Sequence, residues 1–310
     1  VITISHLGYI KRTRAADYRA QRRGGRGVMG GKTREEDYIE HLFVASTHHT
    51  LLFFTEKGRC YWLNVYQIPE GEKTGKGRAI QNLIQLPPDD KIRTIIDVKD
   101  LTDEEFVKSH YILLCTKQGI IKKTALEDFS RPRQTGVNAI TINEGDQLLD
   151  AQMTDGNSEV MMAVKSGRAI RFSEDTVRPT GRGAIGVRGI DVDDETDEVI
   201  GMICGNSKED TGVTVLVVSE KGYGKRTHID EYRFTNRGGK GVKTINITDK
   251  TGKLVGLMGV SETEDLMISC KSGITIRMPV NGISELGRAT QGVKLIRVEE
   301  GDEIAAITKV

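Results

Sequence analysis

Between Gln21 and Gly27 the chain reads QRRGGRG, three arginines (Arg22, Arg23, Arg26) interleaved with three glycines (Gly24, Gly25, Gly27). Guanidinium groups on a backbone with little side-chain bulk can lay arginine forks and peptide N–H groups together against an anion, which suits phosphate oxygens. A solvated glycine-rich turn contains the same residue types, so seven residues alone do not separate the two readings. The separation comes from recurrence: a weaker form of the arrangement returns five more times.

Six segments share an apolar or β-branched run, a short polar turn ending in glycine, and a second run carrying basic residues. The turns end at Gly8, Gly58, Gly119, Gly167, Gly222 and Gly273, which stand 50, 61, 48, 55 and 51 residues apart. Such a period predicts a repeat architecture. A second landmark follows each turn glycine after 16 to 19 residues, at Gly27, Gly77, Gly136, Gly183, Gly241 and Gly292. Four of these close a glycine–basic–glycine triplet; in the third and sixth units it has become Gln134-Thr135-Gly136 and Thr290-Gln291-Gly292.

Runs such as Leu51-Leu52-Phe53-Phe54, Ile112 to Cys115, Val160 to Val164, Val213 to Val218 and Leu266 to Ile268 are short, β-rich and bounded by turn residues. A glycine just past such a run supplies the positive φ of a tight hairpin. Further apolar stretches, Leu42 to Ala45 before one hairpin and Ile80 to Leu86 after it, bring each unit to about four strands, the content of one propeller blade. The expectation is a single all-β domain over residues 1–310. The Thr33-Arg34-Glu35-Glu36 pattern offers a helix start, but equivalent places in the other units are strand-like, so strand is expected there. Leu101 to Ser109 and Ile190 to Gly201 leave room for a turn of helix.

Charge follows the same period. From Tyr9 to Arg34 there are nine basic residues, among them Lys11, Arg12 and Arg19, against the single acid Asp17, a local net of +8. Later units place Lys73, Lys76 and Arg78; Lys122, Lys123, Arg131 and Arg133; Arg168, Arg171, Arg178 and Arg182; Lys225, Arg226, Arg233, Arg237 and Lys240; and Arg277 and Arg288 in the corresponding stretch. Acids gather between units, at Asp100 to Glu105, Asp191 to Glu198, Glu262 to Asp265 and Glu299 to Glu303. In a repeat array, in-phase positions fall on one rim. A basic track around a disc suits a polyanion, and duplex DNA carries about one charge per 1.7 Å.

Composition bounds the alternatives. With 37% hydrophobic and 29% charged residues the chain can bury a core, and a formal net charge of +1 means that any basic surface must arise by sorting. Cys60, Cys115, Cys204 and Cys270 lie far apart without a CxxC pair, which points to a reducing compartment without disulfides or zinc. No apolar run has membrane-spanning length, no signal peptide opens the chain, and Val1 in place of methionine suggests a piece of a longer protein. GGKT at Gly30 to Thr33 is not a P-loop, since Arg26 stands where the motif needs glycine and no helix is expected to follow. Adjacent His48 and His49 point to opposite faces of a strand and suit a polar turn better than a metal. Trp62 is expected in the core.

QRRGGRG at Gln21 to Gly27 resembles the gyrase A box, complete at all seven positions, and the six-unit array around it resembles the carboxy-terminal domain of bacterial DNA gyrase A over essentially the whole chain. The resemblance implies a six-bladed β-pinwheel, a propeller-like disc of four-stranded antiparallel blades with strands exchanged between neighbours. It implies a non-catalytic DNA-binding and DNA-wrapping part of a type IIA topoisomerase, with DNA bent round a basic rim without sequence specificity. Gln21, Arg22, Arg23, Gly24, Gly25, Arg26 and Gly27 would bind DNA at the loop tying first blade to last. The implied partners are double-stranded DNA and the rest of gyrase A and gyrase B in a heterotetramer, in the bacterial cytoplasm at the nucleoid, with ATP and magnesium used elsewhere in that assembly and the isolated domain monomeric. The competing readings are the wrapping domain of topoisomerase IV, where the box is degraded or absent, and a protein-interaction propeller without DNA binding. Family members often end in an acidic tail, whereas this sequence stops at Thr308-Lys309-Val310.

Overall fold

The computed structural model describes residues 1–16, 37, 39–72, 74–205 and 213–309. Each unit begins with a β-hairpin: β1 (Ile2–Ser5) with β2 (Tyr9–Arg12), β4 (Thr50–Thr55) with β5 (Arg59–Asn64), β8 (Tyr111–Thr116) with β9 (Ile120–Ala125), β12 (Glu159–Val164) with β13 (Arg168–Ser173), β16 (Thr214–Ser219) with β17 (Tyr223–His228), and β20 (Asp265–Cys270) with β21 (Thr275–Pro279). At every hairpin the turn glycine donates its N–H to the carbonyl three residues back, at 2.9 to 3.1 Å, with φ between 85° and 96°. This is the three-residue loop in which a left-handed residue closes a type I turn, and it explains why glycine recurs there.

A third strand pairs with the first strand of each hairpin: β3 (Ile39–Phe43), β7 (Ile92–Val98), β11 (Leu148–Thr154), β15 (Val199–Gly205), β19 (Leu254–Val260) and β23 (Ile304–Lys309). These strands touch one another round a ring, β7 on β11, β11 on β15, β15 on β19, β19 on β23 and β23 on β3. They therefore line the centre. The opposite, outer edge of a sheet is a two-residue strand contributed by the following unit: β6 (Arg78–Ala79) on β2, β10 (Val137–Asn138) on β5, β14 (Val187–Arg188) on β9, β18 (Val242–Lys243) on β13 and β22 (Val293–Lys294) on β17. Five sheets are four-stranded and antiparallel, and the sixth shows three strands among the described residues. The six blades, their four-strand content and the strand exchange all match the expectation. Ile80–Asn82, read as part of a strand, is instead a 3-10 turn. The turn of helix allowed between Leu101 and Ser109 is α1 (Glu104–Ser109), capped by the Asp103 carboxylate accepting from the Phe106 N–H.

The blades stack face to face, which accounts for the unbroken apolar runs. Leu51 and Phe53 enter the core shared with the first blade while Leu52 and Phe54 enter the core shared with the third. Met161 and Ala163 likewise face away from Val160, Met162 and Val164. Alternate residues of a strand buried on both faces must all be apolar. The end blades differ. In β1 the apolar residues Ile2 and Ile4 alternate with Thr3 and Ser5, and no apolar cluster spans the seam between sixth and first blades among the described residues. The four cysteines are free thiols, three of them buried, with burial pushing the Cys60 and Cys115 thiols well up.

One landmark is corrected. In the fourth unit the glycine that precedes the exchanged strand is Gly186, not Gly183: Gly186 has φ 104° and an added Cβ would lie 2.6 Å from the Ile121 carbonyl oxygen, whereas Gly183 has no positive φ and open space around it. The corrected spacing from the hairpin glycine is 19 residues, as in every unit but the third, where it is 17. What fixes the position is close approach to the backbone of the preceding hairpin, so the basic residue inside the Gly181-Arg182-Gly183 triplet is a misleading marker. Gly186→Ala is expected to cost about 2–4 kcal/mol in a thermal or denaturant melt, and Gly183→Ala to stay within about 0.5 kcal/mol. Equal effects at both positions would contradict this assignment.

Candidate nucleic-acid interface

The exchanged strands and the loops leading into them form the outer rim. Valine follows the second glycine in five units, and in the fourth, fifth and sixth the next residue is Arg188, Lys243 or Lys294, each exposed, where the third has Asn138; in the second unit Arg78 follows the glycine directly and is exposed. Of these, only Arg78 is among the DNA contacts expected from the sequence. The signal for the others lies in the recurring Gly-Val-basic triplets Gly186-Val187-Arg188, Gly241-Val242-Lys243 and Gly292-Val293-Lys294.

Arginines fasten one rim loop to the next. Arg182, Arg237 and Arg288 each stand 15 residues after their hairpin glycine. Each uses Nη1 to donate to the last carbonyl of the preceding unit's outer strand: Arg182 to Asn138 at 3.5 Å, Arg237 to Arg188 at 3.1 Å and Arg288 to Lys243 at 2.7 Å. Half-buried arginines thus tie a belt of exposed cations through the third to sixth units. Lys76 and Arg133 are exposed on the same loops, Lys76 with its ammonium 4.0 Å from the Tyr9 ring centroid. Lys240 is exposed and pairs with Asp193 at 3.2 Å, while exposed Arg277 donates to Asp265 of its own hairpin at 2.7 and 3.0 Å. Exposed pairs of this kind hold a side chain only loosely.

The expected DNA contact is corrected for Lys11, Lys122, Lys123, Lys225 and Arg226, whose relative exposure is 6, 1, 4, 0 and 5%. They lie three or four residues past a hairpin glycine, on a strand covered by blades on both sides, and hold neighbouring units together. The side chain at the fourth place reaches the carbonyl ten residues past the next hairpin glycine: Arg12 Nε to Ile68 at 3.1 Å, Trp62 Nε1 to Phe129 at 2.9 Å, Arg171 Nη1 to Tyr232 at 3.0 Å and Arg226 Nε to Ile283 at 2.9 Å. Lys123 instead meets the fully buried Glu174 at 3.0 Å, whose carboxylate also accepts from the Thr154 hydroxyl and the Ser158 N–H. Arg12 and Arg171 are half-buried in this set. Gln21, Arg22, Arg23, Gly24, Gly25, Arg26, Gly27 and Arg19 lie outside the described residues, as does Lys73.

Acids sit at the hairpin loops. Asp90 Oδ1 accepts the N–H groups of Lys57 and Lys91, and Asp146, Asp197 and Asp302 do the same for Gln118 and Gln147, Ser166 and Glu198, and Ser272 and Glu303, at 2.8 to 3.2 Å. Aspartates therefore cap the turns while cations occupy the outer edge. His49 is held by Asp97 through Nδ1 at 2.9 Å. Among the described residues, no group of three or more His, Cys, Asp or Glu side chains could hold a metal ion, and no helix is long and apolar enough to cross a membrane.

The model of the DNA gyrase C-terminal domain, a β-propeller, matches residues 1–46, 49–99, 110–155, 158–206, 214–261 and 264–310, one segment per blade. The DNA gyrase A protein of Staphylococcus epidermidis is 45% identical over 310 residues, covering 100% of this chain and 34% of that protein. Its Staphylococcus aureus counterpart is also 45% identical, over 312 residues with the same coverage. The chain thus spans about a third of the length of these relatives. A solved DNA gyrase A C-terminal domain superposes with a TM-score of 0.81 at 28% identity, over 99% of this chain and 98% of that one. The C-terminal domain of DNA topoisomerase IV gives 0.80 at 23% identity, over 100% and 92%, which speaks to the fold.

Two buried lysines carry a pH signature. Burial pulls Lys122 and Lys225 down to about 8, opposed by Asp128 and Glu231 and reinforced by Arg182 and Arg288 respectively. Between that value and the ordinary 10.5 the unfolded chain binds more protons than the folded one, so stability rises with pH across the window. Because Met also removes the bonds to Gly287, Arg288 and Thr290, the wild type is expected in melts to be more stable than Lys225→Met at pH 7 and the gap to widen as pH climbs to 10.5. A difference that stays constant throughout would rule out the depressed value.

Proposed function

The chain belongs to the DNA gyrase C-terminal domain family, and on that premise we propose that its outer rim binds duplex DNA through phosphate contacts and bends it round the disc. The observation that carries the reading is the belt itself: exposed Arg78, Arg188, Lys243 and Lys294 on exchanged strands, with the rim loops of the third to sixth units linked by Arg182, Arg237 and Arg288, in a chain whose formal net charge is only +1. Bending 20–30 base pairs by 40–90° costs roughly 1–6 kcal/mol, which distributed phosphate contacts must offset. Contacts of that kind carry no sequence information.

In this reading the wrapped segment is presented to a cleavage core in the remainder of the gyrase A polypeptide, with gyrase B supplying ATP hydrolysis in a heterotetramer, so that strand passage introduces negative supercoils. Magnesium and ATP act there, and this chain contributes binding rather than chemistry, in the cytoplasm, as a monomer when isolated. The complete box at Gln21 to Gly27 and the 45% identity to gyrase A favour gyrase over topoisomerase IV. A protein-binding scaffold would flow through a DNA column that a basic rim retains.

The test combines topology and salt. Relaxed plasmid ligated in the presence of this chain should emerge with altered linking number, and Arg22, Arg23 and Arg26 to alanine should abolish that change while leaving some simple binding. Replacing Arg78, Arg188, Lys243 and Lys294 together by alanine should lower the slope of log affinity against log salt by about 0.9 per lost contact. Unchanged linking number with the wild type, or an unchanged slope in the quadruple variant, overturns the reading of the rim.

A further inference from the structure

We propose that the rim loops clamped from behind by Lys11, Lys122 and Lys225 are phosphate-binding cradles, in which outward-pointing peptide N–H groups hold the anionic oxygens of a phosphodiester. The inference rests on the DNA-binding reading and adds specific sites to it. Lysine occupies the third place past the hairpin glycine in the first, third and fifth units, where the others carry Tyr61, Ile170 and Ile276. Each ammonium points into the exchange loop of the following unit. Lys11 Nζ donates to the carbonyls of Glu72 (3.2 Å) and Gly75 (2.7 Å), and Lys122 Nζ to those of Ala139 and Arg182, the latter at 2.9 Å. Lys225 Nζ donates to the carbonyls of Gly287 (2.6 Å), Arg288 (2.7 Å) and Thr290 (2.8 Å) and to the Thr290 hydroxyl (3.1 Å).

Clamping one side of a loop dictates the other. No peptide bond in the described chain is cis, so across each planar unit the C=O and the following N–H point in opposite directions. With the carbonyls of Gly75, Arg182, Arg288 and Thr290 turned in to an ammonium, the N–H groups of Lys76, Gly183, Ala289 and Gln291 are turned away from it, towards the rim. Lys76, Gly183 and Ala289 are exposed, and none of the four amides has a protein acceptor among the described residues. Each of the first two loops thus presents one outward amide and the third presents two, on either side of Thr290, whose N–H bonds the Gly287 carbonyl, while the Arg288 N–H is taken by the Glu231 carboxylate at 3.3 Å; outward amides beside cationic side chains suit an anion. Lys76 and Arg78, Arg182, and Arg288 supply cationic side chains on the same three loops. The buried ammonium behind each loop adds positive potential that salt screens poorly, and the bonds reported for Lys122 and Lys225 go to carbonyl and hydroxyl oxygens rather than to a carboxylate.

Two titrations of the ¹⁵N-labelled chain, followed by amide resonances, test this: one with inorganic phosphate, one with a duplex of about 30 base pairs. Saturable shifts of the Lys76, Gly183, Ala289 and Gln291 amides with both ligands are expected. Shifts with phosphate in a chain that does not bind the duplex at all would support the cradles while overturning the DNA-binding reading. Amides that move with neither ligand, or duplex binding that leaves all four unmoved, overturn the proposal. Lys122→Met and Lys225→Met should weaken phosphate binding at Gly183 and at Ala289 respectively by at least about fivefold, each leaving the other loop's shifts intact. Should either variant fail to fold, the wild-type titrations still decide.

Discussion

The structure depends on a shortage of hydrogen-bonding partners built into every unit. A hairpin and one inner strand leave the outer edge of a sheet open, and an open edge is a row of unpaired backbone groups. The following unit covers it with only two residues, too few to satisfy the loop that delivers them. The loop's carbonyls are met instead by side chains from the blade they have just joined: Lys11, Lys122 and Lys225 at one place in the period, Arg12, Trp62, Arg171 and Arg226 at the next. A buried carbonyl without a donor costs about 1–3 kcal/mol, so these donors stabilise the units that carry them, while Tyr61, Ile170 and Ile276 stand at the third place in the other units. That Trp62 stands among the donors shows the requirement is for a donor and not for a charge.

Two populations of basic residue follow from this arrangement. One is buried and joins blades; the other is exposed and decorates the rim. The first orders the backbone on which the second is mounted, since a loop pinned through its carbonyls has little freedom left in its Cα positions. Near-neutral net charge is compatible with a basic rim because the compensating aspartates are used elsewhere, at Asp90, Asp146, Asp197 and Asp302, to cap hairpin loops. Sorting of charge is thus a by-product of hydrogen-bond geometry: carboxylates go where turn N–H groups converge, ammonium and guanidinium groups where loop carbonyls do.

The period, the hairpins and the propeller are legible in the sequence because a left-handed turn residue is nearly always glycine and because strands buried on both faces leave unbroken apolar runs such as Leu51 to Phe54. The rim is only partly legible. Lys122 and Lys123 look no different in sequence from Lys240, and nothing local says that the strand bearing them is sandwiched between blades. Their neighbours Ile121 and Thr124 are buried, but burial on both sides is a property of the stacked array. Gly183 mimics the landmark of the other units because a basic residue stands between two glycines, whereas the decisive factor, contact with the Ile121 carbonyl of another unit, belongs to Gly186. Arg188, Lys243 and Lys294 come two residues after the landmark glycine, beyond the glycine–basic–glycine triplet that carries the visible signal, and only strand exchange brings them to the edge.

The seam between the sixth and first blades is where the same constraint has its sharpest consequence. Added Cβ atoms at Gly58, Gly119, Gly167 and Gly222 would each strike an isoleucine carbonyl of the next unit, at 2.4 to 2.9 Å, whereas at Gly273 nothing described lies within 4 Å. Ile274 beside it is 52% exposed, although its counterparts Tyr9, Arg59, Ile120, Arg168 and Tyr223 are all partly covered. Arg277 holds the place in the period from which Arg12, Arg171 and Arg226 reach across to the next unit, and it bonds Asp265 of its own hairpin. The 19-residue spacing makes Val28 and Met29, directly after the QRRGGRG stretch, the counterparts of the exchanged strands; they lie outside the described residues. No apolar cluster spans this seam among the described residues, where the sixth and first blades meet through β23 and β3.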